Sequence, residues 1–194
     1  MKNPRVKPVL MLAMLAGLVD LVILASSATF AYAGDSVSFG GIPLPPPRPV
    51  QGAGGQPPAA WLIVRHTATP ATFGSFCYGG ICADMVPPEM MPHVATVSVS
   101  RGTRLTVVIG VARVKSVQAS LSPWHVGMEG QPKRLAVRAR TVGRFVAVGL
   151  PELGAVRNQV LSVFVRFPPK TPNADPHVEG GDAVYLWHLN PVPR

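Results

Sequence analysis

Beyond residue 60 the chain alternates apolar and polar positions with a period of two. Leu135, Val137 and Ala139 fall on one side of their run, and Arg134, Arg138 and Arg140 on the other. Leu161, Val163, Val165 and Phe167 alternate with Ser162, Phe164 and Arg166, and Tyr185, Trp187 and Leu189 alternate with Leu186 and His188. Successive side chains of a strand point to opposite faces, so this pattern describes strands with one face on a core. Turn residues recur about every 8 to 12 positions. They divide the pattern into strands expected at residues 61–66, 72–78, 81–85, 95–100, 105–110, 114–121, 135–141, 145–150, 160–167 and 183–189. After residue 33 no segment sustains a helical period with caps, although 151–154 has room for a single turn. Many short strands between Gly/Pro turns predict an all-β fold, an antiparallel two-sheet sandwich of the immunoglobulin-like kind.

Two other kinds of sequence precede this pattern. Lys2, Arg5 and Lys7 form a cationic start, Val9 to Leu24 is apolar apart from Asp20, and Ala31 and Ala33 supply small residues before Gly34. That is the layout of an export signal over residues 1–33. Its apolar run is about 16 residues, against roughly 20 for a bilayer span. Cleavage is therefore expected in preference to retention as an anchor, leaving no membrane span in the mature chain. Residues 34–60 are almost entirely Gly, Pro and small residues and include PLPPPRP at 43–49. Such a segment buries too little apolar area to offset its ordering entropy, which predicts a disordered tether. Residues 61–194 then form one β-sandwich domain.

Export changes how the chain's two cysteines read. In an oxidising compartment a close pair is expected as a disulfide. With Gly79 and Gly80 at the tip of a two-residue hairpin, Tyr78 and Ile81 form the first, hydrogen-bonded pair. Cys77 and Cys82 then fall on the next, non-hydrogen-bonded pair, where side chains approach most closely. The ring is small, so its closure contributes only about 2 kcal/mol.

The same stretch carries a resemblance. GSFCYGGICAD at 74–84, followed by PPEM at 87–90, resembles a hairpin motif of an uncharacterised family of exported bacterial β-domain proteins. That motif runs Gly, small residue, aromatic, Cys, aromatic, a glycine-containing spacer, Cys, x, Asp, then prolines. VLSVFVRFPP at 160–169 and GDAVYLW at 181–187 are similar to that family's final strands. Tyr78 stands where the family pattern has tryptophan, and PNADPHVEG at 172–180 is a long insert. The resemblance implies a compact β domain behind a signal peptide or lipid anchor, and no mechanism.

Charge narrows the partners. The full chain carries a net +9, about +7 once Lys2, Arg5, Lys7 and Asp20 leave with the signal. A basic exported domain is suited to an anionic envelope polymer or another envelope protein; no specific nucleic-acid recognition is expected. Arg134, Arg138 and Arg140 are expected on one face of one strand, forming a binding surface with Trp124, which follows a proline and precedes a turn. Arg101 and Arg104 flank a turn, where local partners are expected. Met85, Glu89, Met90, Met91 and His93 lie close together, and thioether with imidazole suits Cu(I); Met90, Met91 and His93 are the alternative metal ligands. Against that reading, Pro87, Pro88 and Pro92 hold the segment extended, so the adjacent methionines should point apart. The chain has no Gly-x-Ser-x-Gly, no His-Glu-x-x-His, no phosphate-cradling loop and no dinucleotide fingerprint. No catalytic residue and no cofactor are therefore expected. The expectation is an exported, non-enzymatic β-sandwich, binding or structural at the cell envelope, with extracytoplasmic copper binding as the alternative. Mass spectrometry of the secreted protein should find Gly34 at its N-terminus; an intact Met1 in a membrane fraction would reject cleavage.

Overall fold

The structure is a computed structural model of the chain and describes residues 37–47, 55–91, 93–124, 131–154, 157–169, 171 and 180–192. The expected export signal and residues 34–36 and 48–54 of the expected tether lie outside the described residues. The strands are β1 (Ser38–Phe39), β2 (Ile42–Pro43), β3 (Ala60–Val64), β4 (Thr67–Pro70), β5 (Thr72–Tyr78), β6 (Ile81–Ala83), β7 (Thr96–Val99), β8 (Leu105–Ile109), β9 (Ser116–Pro123), β10 (Lys133–Leu135), β11 (Arg138–Val142), β12 (Phe145–Gly149), β13 (Gln159–Phe167) and β14 (Gly181–Pro191), with one 3₁₀ turn at Pro88–Met90.

The chain is all-β. Five strands form one sheet in the order β11-β12-β8-β3-β4, and seven form another, β10-β9-β13-β14-β5-β6, with β7 also on β14. Pairing is antiparallel except that β7 runs parallel to β14. The inward rows alternate as expected. Leu161, Val163 and Val165 of β13 and Ala183, Tyr185, Trp187 and Leu189 of β14 are fully buried. They share one core with Leu62, Leu105, Val107, Ile109, Val146 and Val148 from the five-stranded sheet.

The cysteine hairpin forms as its sequence predicts. Gly79 and Gly80 take φ 61° and 79° at the tip, a conformation open to glycine at little steric cost. Tyr78 pairs with Ile81 and Cys77 with Cys82, and the two cysteines are disulfide-bonded with Cα atoms 4.0 Å apart.

Besides the parallel β7–β14 pair, where an antiparallel sandwich was expected, three features depart from the sequence reading. The strand expected at 61–66 ends at Val64 and turns back through Arg65 and His66 into β4. The strand expected at 135–141 is two strands: Leu135 pairs with Ala119 in the seven-stranded sheet, and Arg138 with Gly149 in the five-stranded sheet. The chain changes sheets at Ala136 and Val137, as strands do at a sandwich corner. Leu135 and Val137 both pack on the shared core, so the inward row runs across the change of hydrogen-bonding partner, and it stops there: Ala139, expected on the same side, is exposed with the rest of β11.

The third departure is in the expected tether, where β1 and β2 form a hairpin. Trp61, Ile63, Val108 and Phe145 are buried on the outer side of the five-stranded sheet, and Leu44, Val37, Phe39 and Ile42 pack against them. Phe39 meets Phe145 edge-on at 5.9 Å. A strand that is apolar on both faces needs cover on both, and the hairpin supplies the second.

Gly181 is the tightest backbone approach. It pairs with Tyr78 at φ 128°, and a Cβ there would lie 1.9 Å from the Cys77 carbonyl oxygen. Gly181→Ala should cost more than about 3 kcal/mol in urea melts, since it forces backbone against backbone. Gly149→Ala, whose nearest contact would be the Arg138 carbonyl at 3.8 Å, should change stability by less than about 1 kcal/mol.

Candidate functional site

A two-sheet sandwich has two open sides, where the edge strands leave a gap. On one of them β4 and β7 border a cleft of about 600 Å³. Thr67 and Thr69 line it from β4, Thr96 and Ser98 from β7, and Arg65, Ser100 and Thr103 close its end. A second hollow of about 440 Å³ shares Arg65, Ser100 and Thr103 and adds Arg101 and Arg104. Val64, Val97 and Val192 line the cleft as well, so its walls mix serine and threonine with apolar side chains, and Arg65 with Arg101 and Arg104 borders the adjoining hollow.

Local structure positions these arginines. Arg65 sits at φ 55°, the one non-glycine residue with positive φ among the described residues. For a residue with a Cβ this costs on the order of 1 kcal/mol, and the β3–β4 reversal holds it there. Arg101 rides a turn tied at its base: the Ser100 and Thr103 hydroxyls lie 3.0 Å apart, and the Ser100 amide donates to the Thr103 hydroxyl. The Gly102 amide donates to the Leu153 carbonyl. Arg104 pairs with Glu152 at 3.0 Å, both exposed, which partly neutralises it. Arg65 and Arg101 make no ion pair among the described residues.

The sequence-derived candidates are dispersed. Arg134 lies on β10 and Arg138 and Arg140 on β11, in different sheets, so the single arginine face expected of them does not form. Each is exposed. Arg134 borders a groove on the outer face of the seven-stranded sheet with Phe164, Ser120 and Ser162, and Arg140 borders a hollow with Arg113 and Thr141. Trp124 belongs to neither set. It stacks on His188 with ring centroids 3.9 Å apart and joins a small apolar cluster on the outer face of the seven-stranded sheet with Met91, Val160 and Leu186. His188 also contacts the Thr96 hydroxyl through Nδ1 at 3.3 Å and Asn158 through Nε2, so Trp124, Asn158 and Thr96 are joined around one imidazole.

The copper candidates separate as well. Met91 is buried in that cluster, while Met90 is 65% exposed and His93 is exposed. The two thioethers face different surroundings. Among the described residues no group of three or more His, Cys, Asp or Glu converges on a point.

Comparison with protein-family models, with curated proteins and with solved structures finds no match. Sequence reasoning passed over Arg65 because it sat inside an expected strand. The polar pair Arg65-His66 after the apolar run of Trp61 to Val64 was the available signal of a reversal.

The methionines give a direct test. Met91→Ala should destabilise the domain by about 2 kcal/mol or more through the void it leaves. Met90→Ala should stay within about 0.5 kcal/mol, as measured by chemical denaturation.

Proposed function

We propose that the chain is an exported, non-enzymatic β-sandwich module that captures an anionic polymer at or outside the cell envelope. The observation that carries this reading is the cleft lined by Arg65 with Thr67, Thr69, Thr96 and Ser98, joined through Arg65, Ser100 and Thr103 to the adjoining hollow that holds Arg101. Guanidinium forks pair with phosphate or carboxylate oxygens, and serine and threonine hydroxyls hydrogen-bond the polar groups between the charges. A repeating anionic chain matches that lining. The Cys77–Cys82 disulfide supports an oxidising location, and the basic balance of the chain supports an anionic partner. The reading includes the export signal, membership of the exported β-domain family whose hairpin motif residues 74–84 resemble, and an immunoglobulin-like use of the sandwich in which loops and open sides engage the partner.

The test is retention of the mature domain on immobilised long-chain polyphosphate and on poly-L-glutamate, the two arms separating phosphate from carboxylate recognition. Retention should fall steeply as salt rises past about 0.15 M, where the Debye length is roughly 8 Å. Arg65→Gln with Arg101→Gln should weaken retention roughly three- to tenfold with an unchanged melting profile. No retention of the parent on either polymer at low salt would reject the reading.

A further inference from the structure

The second open side of the sandwich carries its own cationic hollow. It measures about 340 Å³ and is lined by Arg113, Arg140 and Thr141, with Val146 and Pro168 behind them. β11 forms the outer edge of the five-stranded sheet here, as β4 does on the other side. All five β11 residues are exposed. The Thr141 hydroxyl donates to the Ala112 carbonyl at 3.0 Å, which ties the edge strand to the segment bearing Arg113. Neither Arg113 nor Arg140 makes an ion pair among the described residues.

The strand register sets the spacing of the two sites. Arg140 lies level with Ala147, Val108 and Trp61 across the sheet, and Arg65 is four residues beyond Trp61. Three strand steps of about 4.8 Å and a four-residue rise along the strand place the two backbone positions roughly 20 Å apart. The two hollows open on opposite sides, with the packed core of both sheets between them.

We infer that the domain is bivalent: each open side of the sandwich holds its own anionic chain, and one domain bridges two polymer molecules. This rests on the reading of the β4–β7 cleft as a polyanion site and adds a second, independent site on the β11 side. A module with two separated sites converts weak contacts into a network, because each bridge raises the local concentration for the next. Its role is thereby that of a cross-linker of the polymer, beyond that of a monovalent ligand.

The experiment uses the mature chain and long-chain polyphosphate, with poly-L-glutamate as the carboxylate arm. Light scattering of the mixture should rise to a maximum at an intermediate protein-to-polymer ratio and fall on either side. Two double variants, R65Q/R101Q and R113Q/R140Q, each remove one side. Each should keep measurable retention on the immobilised polymer, weakened less than about tenfold, and each should lose the scattering maximum. Thermal melts of both variants check that the fold is intact, as expected for exposed substitutions. Full scattering in either variant would overturn bivalence, as would loss of all retention in one of them, because a single site would then carry the binding. Retention of the parent without any scattering maximum overturns bivalence and leaves the capture reading standing. Absence of parent retention overturns the capture reading itself.

Discussion

Three buried aromatic side chains each carry one hydrogen that must find an acceptor, and the rest of the architecture depends on where those acceptors are. The Trp61 indole donates to the Pro45 carbonyl at 2.7 Å, the Tyr185 hydroxyl to the Pro58 carbonyl, and the Trp187 indole to the Thr69 carbonyl at 3.0 Å. A buried donor without a partner costs about 1–3 kcal/mol, and among the described residues no buried side-chain nitrogen or oxygen is left unpaired. All three acceptors are backbone carbonyls between residues 45 and 69. Proline lacks an amide donor but keeps its carbonyl, so this proline-rich stretch supplies acceptors well. Burial also pushes the Tyr185 phenol well above its ordinary pKa, with the nearby Tyr78 adding to the shift, so it stays the neutral donor this arrangement needs.

Those bonds also shape the candidate site. Thr69 accepts the Trp187 indole through its carbonyl while lining the β4–β7 cleft. The wall of the cleft is thus fastened to the most buried row of the opposite sheet. On the other side of the cleft, Thr96 of β7 contacts His188, on which Trp124 stacks. Trp124 holds a wall in place and belongs to the scaffold of the site. The disulfide likewise fixes the hairpin tip at a place where Gly181 passes too close for any side chain.

The arginines at the two open sides meet two requirements at once. Exposed sheet edges invite pairing with other chains, and charged side chains on or near an edge discourage it. Arg138 and Arg140 on β11, and Arg65 beside β4, guard the edges in this way. The same groups, set beside hydroxyls in hollows, are available to an anionic ligand. Under the proposed function, edge protection and recognition draw on the same residues.

Much of the strand content was legible in the sequence because burial of one face imposes a period of two. Strand β5 runs from Thr72 to Tyr78, the span expected from its pattern, and the paired glycines located the cysteine hairpin and its register. These are local properties: pleat, turn chemistry and proximity along the chain. Which sheet a strand joins is a different matter. The run from Lys133 to Val142 reads as one alternating series, yet it serves two sheets, because both inner faces look onto one core and the alternation is blind to the hydrogen-bonding partner. The Pro/Gly-rich stretch read as a tether because its own apolar content is small. Its hairpin is ordered by a surface that other strands provide, the apolar outer faces of β3, β8 and β12. Trp61-Leu-Ile-Val and Val107-Val-Ile hint at that two-sided burial, but they do not name what covers it. Sequence alone therefore determined the class of fold, most of the core strands and the disulfide through short-range geometry, and missed β1, β2 and β4. The gathering of Arg65 and Arg101 around one hollow, and of Arg113 and Arg140 around another, was decided by tertiary structure, because those neighbours are set by sheet order and not by spacing along the chain.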